Sequence, residues 1–339
     1  MLADFKRGRV KHGLREYLRR TSRRVADRVF FRVRRDTFAA SLRCLGLSAG
    51  DIVCVHASLS RLGHIVDGAD SIIDALMDVV GEDGCVLMPS FSMAGSMEDF
   101  VNGEPVFDVR NTPSRVGLLT EVFRQREGVQ RSLHPTNSVS AWGRHAESLL
   151  ENHELSPTPY GRDTPYGRLA ERQNTYILML ETHIHSLLHH IQERVNFPNL
   201  FLPDRKALRI VDHRSQRRTV YTRVMTRRIP YFIAVPSLDV NRPDWVILHD
   251  FALVFPTGRE AELRRGHHNF DGYPRIFQRR KILEKEGVLR SAELGRGEIG
   301  LLHVRGFVNR IEPELADLLK EFRIYYDSEE IASRNLTYF

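Results

Sequence analysis

The run DIVCVHASLSRLGHIVDGADSIIDALMDVVGEDGCVLMPSF, residues 51–91, decides the fold. Its first nine residues are mostly apolar and suit a strand buried on both faces. In GADSIIDALMDVVG (68–81), Ile72, Ile73, Leu76, Val79 and Val80 recur at helical spacing and predict an amphipathic helix. CVLMPSF (85–91) is a second buried strand, and Pro89 marks its end, because proline cannot donate to a ladder. The alternation continues. SRVGLLTEVFRQR (114–126) reads as a helix, YILMLET (176–182) as a strand, and the histidine-rich segment after it as a helix. The expected fold class is therefore α/β, a mainly parallel central sheet with covering helices. Sites in such sheets lie beyond the carboxyl ends of the strands, here residues 56–63, 89–92 and 182–185.

The later chain differs. ALRIVDHRSQRRTVYTRVM (207–225) reads as a hairpin with a basic turn. YFIAVPSL (231–238) and WVILHDFALVF (245–255) read as strands, and helical signals follow at 258–265, 275–286 and 311–322. No linker, repeat or low-complexity tract interrupts them. We expect one domain over residues 41–325, an N-terminal extension over 1–40 and a tail over 326–339.

The net charge of +7 is unevenly spread. Residues 1–36 hold 13 Lys/Arg against 4 Asp/Glu, so the remainder is close to neutral. Within LREYLRRTSRRVADRVFFRVRR, Leu14, Leu18, Thr21, Val25 and Val29 form one helical stripe flanked by arginines. Such a helix suits an anionic membrane surface or an acidic partner; packing on its own domain is the alternative. No apolar run is long enough to span a bilayer, and no secretory h-region opens the chain. Cys44, Cys54 and Cys85 form no disulfide framework and read as reduced thiols. We expect a cytoplasmic protein, peripheral at the inner face of the membrane, with no nucleic-acid partner.

GRGEIG (295–300) matches G-x-G-x-x-G, but lacks the preceding strand and following helix that a dinucleotide fingerprint needs. EGVLRSAEL before it is polar and loop-like, so the match reads as a glycine-rich turn. Phosphate-loop, G-x-S-x-G and C-x-x-C patterns are absent. ETHIHSLLHHIQERVNFP (181–198) holds His183, His185, His189, His190 and Glu193. His185 and His189, at i and i+4, could share a metal, but H-E-x-x-H is absent and a third ligand would have to come from elsewhere. A partly wet helix surface and a general base remain the other readings.

Six segments, in order, carry a resemblance. They are VHASLSRLG (55–63), GADSIIDALMDVVGEDGCVLMPSF (68–91), FDVRNTPSRVGLLTEVFR (107–124), RSLHPTNSVSAWG (131–143), YGRDTPYGRL (160–169) and SLLHHIQERVNFP (186–198). Together they resemble the antibiotic N-acetyltransferases, the aminoglycoside 3-N-acetyltransferase family, with a looser echo to about residue 320. The resemblance implies an α/β fold distinct from the Gcn5 type and acetyl transfer from acetyl-CoA to an amine on a sugar or aminocyclitol. It places the cofactor near Ser58, Leu59, Ser60 and Gly63 and beside Arg131 and Ser132; His56 and Ser90, at the strand ends, join that set. An arginine can pair bidentately with phosphate. His134 and His190 are candidate substrate contacts, and Asp108 could receive the substrate ammonium. No metal is expected.

The family's base lies in an H-x-x-E pattern, and aligning on Pro198 puts His189 in the base position. Gln192 then stands where the glutamate belongs, with Glu193 one residue later. Pairing His190 with Glu193 restores H-x-x-E but breaks the downstream match. His189, Gln192 and Glu193 are thus the candidate catalytic residues. A glutamine can orient an imidazole but cannot stabilise imidazolium by charge. The expected function is acetyl-CoA-dependent N-acetylation of a sugar or aminocyclitol, either an amino sugar of a surface polysaccharide or metabolite, or an aminoglycoside. A degenerate member that only binds CoA or a partner is the alternative, and a metal-dependent hydrolase the third.

Overall fold

The computed structural model describes residues 26–182, 185–197, 200–225, 232–235, 244–247 and 281–326. The strand–helix–strand unit forms as the sequence predicts. β2 (Ile52–Ala57) and β4 (Cys85–Pro89) flank a helix over Gly68–Val80, and β8 (Thr175–Leu180) lies on the other side of β2. β2 runs parallel to both neighbours. Outside these three strands every pairing in the sheet is antiparallel. β7 (Val139–Gly143) pairs with β4, and β6 (Gln130–Arg131) with β7. On the other edge β14 (Gly297–His303) pairs with β8, and β13 (Leu289–Leu294) with β14. The seven-stranded sheet is therefore mixed, not mainly parallel.

The physical reason lies in the connections. β13 and β14 are joined by the two-residue turn Gly295–Arg296, and a hairpin can only be antiparallel. Gly295 has φ +62, and a Cβ there would run into the Leu62 carbonyl oxygen. The polar run before it is an edge strand, not a loop; only its ends, Leu289 and Leu294, are buried.

Alternation along the central strands builds two cores. Ile52, Cys54, Leu87, Ile177 and Met179 face the side that buries Tyr166, Leu187, Ile191 and Phe307. Val53, Val55, Val86, Met88, Leu178 and Leu180 face the side that buries Phe38, Leu42, Ile72, Ile73 and Phe123. Each fully buried large apolar side chain contributes roughly 1.5–3 kcal/mol. The helix expected over 114–126 is shorter, Leu118–Arg124, because Gly117 takes φ +134 just before it.

The boundary at residue 40 falls inside a structural helix. α1 (Arg35–Cys44) buries Phe38 and Leu42, and Arg35 bonds to Asp78 of α2 (Gly68–Val80). Just before it, β1 (Arg32–Val33) pairs with β3 (His64–Ile65), and Asp27 forms an ion pair with Arg296. Residues 27–44 are thus packed on the body, and the strongly basic residues 1–25 lie outside the described residues. No described helix is long and apolar enough to cross a membrane.

The basic hairpin is present as β9 (Phe201–Val211) and β10 (Arg217–Met225), with β5 (Val106–Asp108) beside β9. β11 (Phe232–Val235) and β12 (Asp244–Ile247) form a separate antiparallel pair. The helix expected at 258–265 lies outside the described residues, as does the first half of that at 275–286, of which residues 281–285 are helical. The signal at 311–322 falls within α3 (Val304–Tyr326).

Candidate active site

The histidine-rich segment supplies the helix Leu187–Arg194, directly beyond the carboxyl end of β8. His183 lies outside the described residues. Three histidines of the segment separate by environment. His185 is buried against Phe307, with ring centroids 5.2 Å apart and an edge-on geometry. His190 is buried too, and its Nδ1–H donates to the Tyr160 carbonyl oxygen at 2.7 Å. Burial is the main cause of its lowered pKa. His189 is partly exposed, and its ring packs on that of Tyr160 at 4.9 Å.

The partner of His189 is Gln192. The Nδ1–H of His189 donates to Gln192 Oε1 at 2.8 Å, and Gln192 is only 3% exposed. One helical turn separates the two residues, which brings their side chains together. An acceptor at Nδ1 fixes the tautomer in which Nε2 carries the lone pair. Glu193 turns elsewhere: its Oε1 accepts from the Thr158 hydroxyl. Burial raises the Glu193 pKa, against the lowering influence of that hydrogen bond and of Arg223. A Cβ on Gly161 would lie 3.0 Å from the same oxygen, so the 156–161 loop passes close over the carboxylate.

That loop was not singled out for a role by sequence, yet it frames the base. Tyr160 takes Asn137 Nδ2–H on its phenol oxygen at 2.7 Å and His190 on its carbonyl, while its ring supports His189. Its signal was the YGRDTPYGRL segment. There Thr164 caps the helix Pro165–Glu171 and fixes where the preceding loop ends.

Several of the expected contact residues are engaged in hydrogen bonds within the protein. His134 is fully buried: Nδ1 accepts from the Asn137 N–H at 3.1 Å, and Nε2–H donates to Thr222. Burial, with His153 nearby, pushes its pKa well below the ordinary value. Ser132 Oγ–H donates to His153 Nδ1 at 2.9 Å and accepts from the Val139 N–H. Ser90 is fully buried, bonded to Ser140, and its carbonyl accepts from Arg131 and Ser138. Arg131, expected on a phosphate, is 5% exposed. Its guanidinium donates to Ser138 Oγ and to the carbonyls of Val109, Thr112 and Ser90, and stacks on Phe107 at 4.9 Å. Burial, reinforced by Arg124, pushes its pKa down to about 9.

Asp108 closes its own loop. Oδ1 accepts from the N–H groups of Arg110 and Asn111, and Oδ2 from the Asn111 amide. Burial raises its pKa, but the hydrogen bonds win and hold it low. Gly63 takes φ +113, and a Cβ there would strike the Phe31 carbonyl oxygen. Its glycine requirement therefore comes from the packing of β1. His56, Ser58, Leu59 and Ser60 do lie at the mouth of β2, with Ser60 exposed. Desolvation pushes the His56 imidazole down to about 3, and Cys54 Sγ lies 3.8 Å from its Nε2.

His185 and His189 face different neighbours, Phe307 and Tyr160, so they do not make a shared metal pair. Among the described residues no three His, Cys, Asp or Glu side chains converge to hold a metal. What the geometry brings together is one tautomer-fixed imidazole, a buried amide behind it and an aromatic floor. That arrangement can accept a proton from an incoming nucleophile.

Comparison with known proteins shows the family. The aminoglycoside 3-N-acetyltransferase family profile matches residues 54–315. Aminoglycoside N(3)-acetyltransferase VIII of Streptomyces fradiae is 32% identical over 249 residues, covering 68% of this chain and 85% of the relative. The prophage-derived aminoglycoside N(3')-acetyltransferase-like protein YokD of Bacillus subtilis is 32% identical over 174 residues. That match covers 47% of this chain and 63% of YokD, less than two thirds of its length. The structure of AAC-IIIb in a binary complex with CoASH is 24% identical with a TM-score of 0.62, covering 86% of this chain and 98% of that one. AAC-VIa bound to sisomicin is 21% identical with a TM-score of 0.55, covering 82% and 95% respectively. The structural likeness shows a shared fold, and the sequence match carries the assignment: the chain belongs to the aminoglycoside 3-N-acetyltransferase family, acyltransferases whose co-substrate is acetyl-CoA.

Proposed function

We propose that this protein transfers the acetyl group of acetyl-CoA to an amino group of a sugar or aminocyclitol, with His189 as general base. The observation that carries the role of His189 is its 2.8 Å bond to Gln192, which leaves the lone pair on Nε2. Nε2 takes a proton from the substrate ammonium. The freed amine attacks the thioester carbonyl carbon, a C–N bond forms, and the C–S bond breaks. The nitrogen gives up its second proton as the C–S bond breaks; of the two protons released, one is passed on to the departing thiolate as CoASH and the other goes to solvent. Holding amine and thioester together supplies the rest of the advantage. Family membership supports the reaction class, and the sisomicin-bound relative supports an aminocyclitol-type acceptor. The test is CoA release and N-acetyl product with a panel of amino sugars and aminocyclitols. No release above background with any of them would leave a protein that binds without turnover.

Gln192 makes a second prediction. Gln192→Glu places a carboxylate against Nδ1 and stabilises the imidazolium. The pKa of the base rises, so the acidic limb of kcat/KM moves to higher pH, by about one unit or more. A profile that does not move would show that residue 192 does not touch the base.

The N-terminal arm supports peripheral attachment. Residues 1–25 hold nine Lys/Arg against two acids. Removing 1–25, and no more, spares Asp27, β1 and α1. The truncated protein should bind phosphatidylserine-containing vesicles less tightly than the full chain, and the difference should shrink with added salt. Equal binding by the two proteins refutes the attachment.

A further inference from the structure

The hairpin of β9 and β10 has a face that the catalytic reading does not use. Residues 201–225 hold seven Lys/Arg against two Asp, within a body that is close to neutral. The register sorts them. Leu208 pairs with Val220 and faces inward, buried; Arg205 pairs with Arg223, Ala207 with Tyr221, Arg209 with Thr219, and Val211 with Arg217. The outward row is therefore Arg205, Arg209, Arg217 and Arg223 around Tyr221, which is 57% exposed. Arg218 is neutralised by Glu154 and Asp212, and Arg209 donates to the Glu104 carbonyl. Arg205, Arg217 and Arg223 make no ion pair among the described residues.

Two arginines directly opposite on one face of a ladder repel each other. The arrangement is relieved when an anion bridges them. Adjacent strands lie about 4.7–4.9 Å apart, so two guanidinium forks can grip neighbouring phosphoryl groups bidentately. The row also begins at the candidate site. The Arg223 N–H donates to the Pro157 carbonyl at 2.8 Å, next to Thr158, and Arg223 acts electrostatically on Glu193.

We infer that this cationic ribbon holds the phosphate or diphosphate of the acceptor, which is an amino sugar carrying that group at its anomeric end, while its amine reaches His189. The inference rests on the acetyl-transfer reading and narrows it to an anionic acceptor. A free polycationic aminoglycoside meets like charge on this face and is disfavoured. The diphosphate could be nucleotide-linked or lipid-linked.

The experiment compares wild type with the triple variants R205Q/R217Q/R223Q and R205K/R217K/R223K. CoA release is measured at saturating acetyl-CoA with glucosamine, glucosamine 1-phosphate, uridine-diphosphate-linked glucosamine, polyprenyl-diphosphate-linked glucosamine and gentamicin. Wild type should favour a phosphate-bearing acceptor over glucosamine by about tenfold or more in kcat/KM, as expected for one or more charge-assisted hydrogen bonds. Which diphosphate is preferred identifies the source. The glutamine variant should lose that preference while unfolding at the wild-type temperature, and the lysine variant should keep most of it. In parallel, binding of inorganic pyrophosphate is measured by calorimetry with CoA present to block the donor site. The glutamine variant should bind it about tenfold more weakly or worse. An unchanged preference in the glutamine variant overturns the inference. So does a preference for gentamicin, or an effect confined to the KM for acetyl-CoA. If no acceptor turns over, the acetyl-transfer reading fails, and calorimetry alone decides: pyrophosphate binding lost in the variant supports the ribbon, and its absence in wild type refutes it.

Discussion

His189→Ala should lower kcat by about 10²–10⁴-fold, the range expected when a positioned general base is lost. The KM for acetyl-CoA should stay near wild type, because the imidazole acts on the amine. Thermal stability should fall only modestly. His189 is partly exposed, and the principal loss is the partner of the buried Gln192 amide, worth about 1–3 kcal/mol. His190→Ala separates the two possible registers. That ring is buried and holds the Tyr160 carbonyl, so its loss should reduce stability and activity together. A steep fall in single-turnover rate with an intact melting transition is thus specific to His189. An unchanged rate in His189→Ala removes it from the mechanism.

The centre of this fold was legible, and its edges were not, for one reason. Residues 51–91 carry strong periods over long runs, so burial on both faces writes itself into composition. β6 is two residues long and has no period to read. β13 is an edge strand whose middle residues remain at least partly exposed, so its polar composition resembles a loop. The site divides in the same way. His189 and Gln192 are neighbours on one helix, and their contact follows from a spacing of three. Tyr160 and Asn137 meet through a contact between chain segments 23 residues apart, which no local pattern encodes. Residue type does not by itself separate framework from binding roles. Arg131, Ser132, Ser90 and His134 have the chemistry of ligand contacts, but burial turned that chemistry inward to satisfy carbonyls and amides. Polar groups removed from water must find partners, and framework networks use the same side chains as binding sites.

Arg131→Ala distinguishes those two uses, and its expected effect is on stability. The guanidinium joins the end of β6 to the loop after β4, through Ser90, and to the loop after β5, through Val109 and Thr112. Truncation takes this donor from the Val109 and Thr112 carbonyls, leaves the Ser90 carbonyl with Ser138 alone, and opens a void beside Phe107. Unsatisfied buried groups cost about 1–3 kcal/mol each, and the lost packing adds to this. A total of about 3–5 kcal/mol would lower the melting temperature by roughly 10 °C in a body of this size. Arg131→Met should be milder. It refills the void and removes a charge that burial opposes. A phosphate-binding arginine would behave in the opposite way, because its loss would raise the KM for acetyl-CoA and leave the melting temperature in place. Thermal unfolding and acetyl-CoA kinetics on the two variants therefore assign Arg131 to the framework or to the cofactor. An alanine variant that melts like wild type would return it to the cofactor.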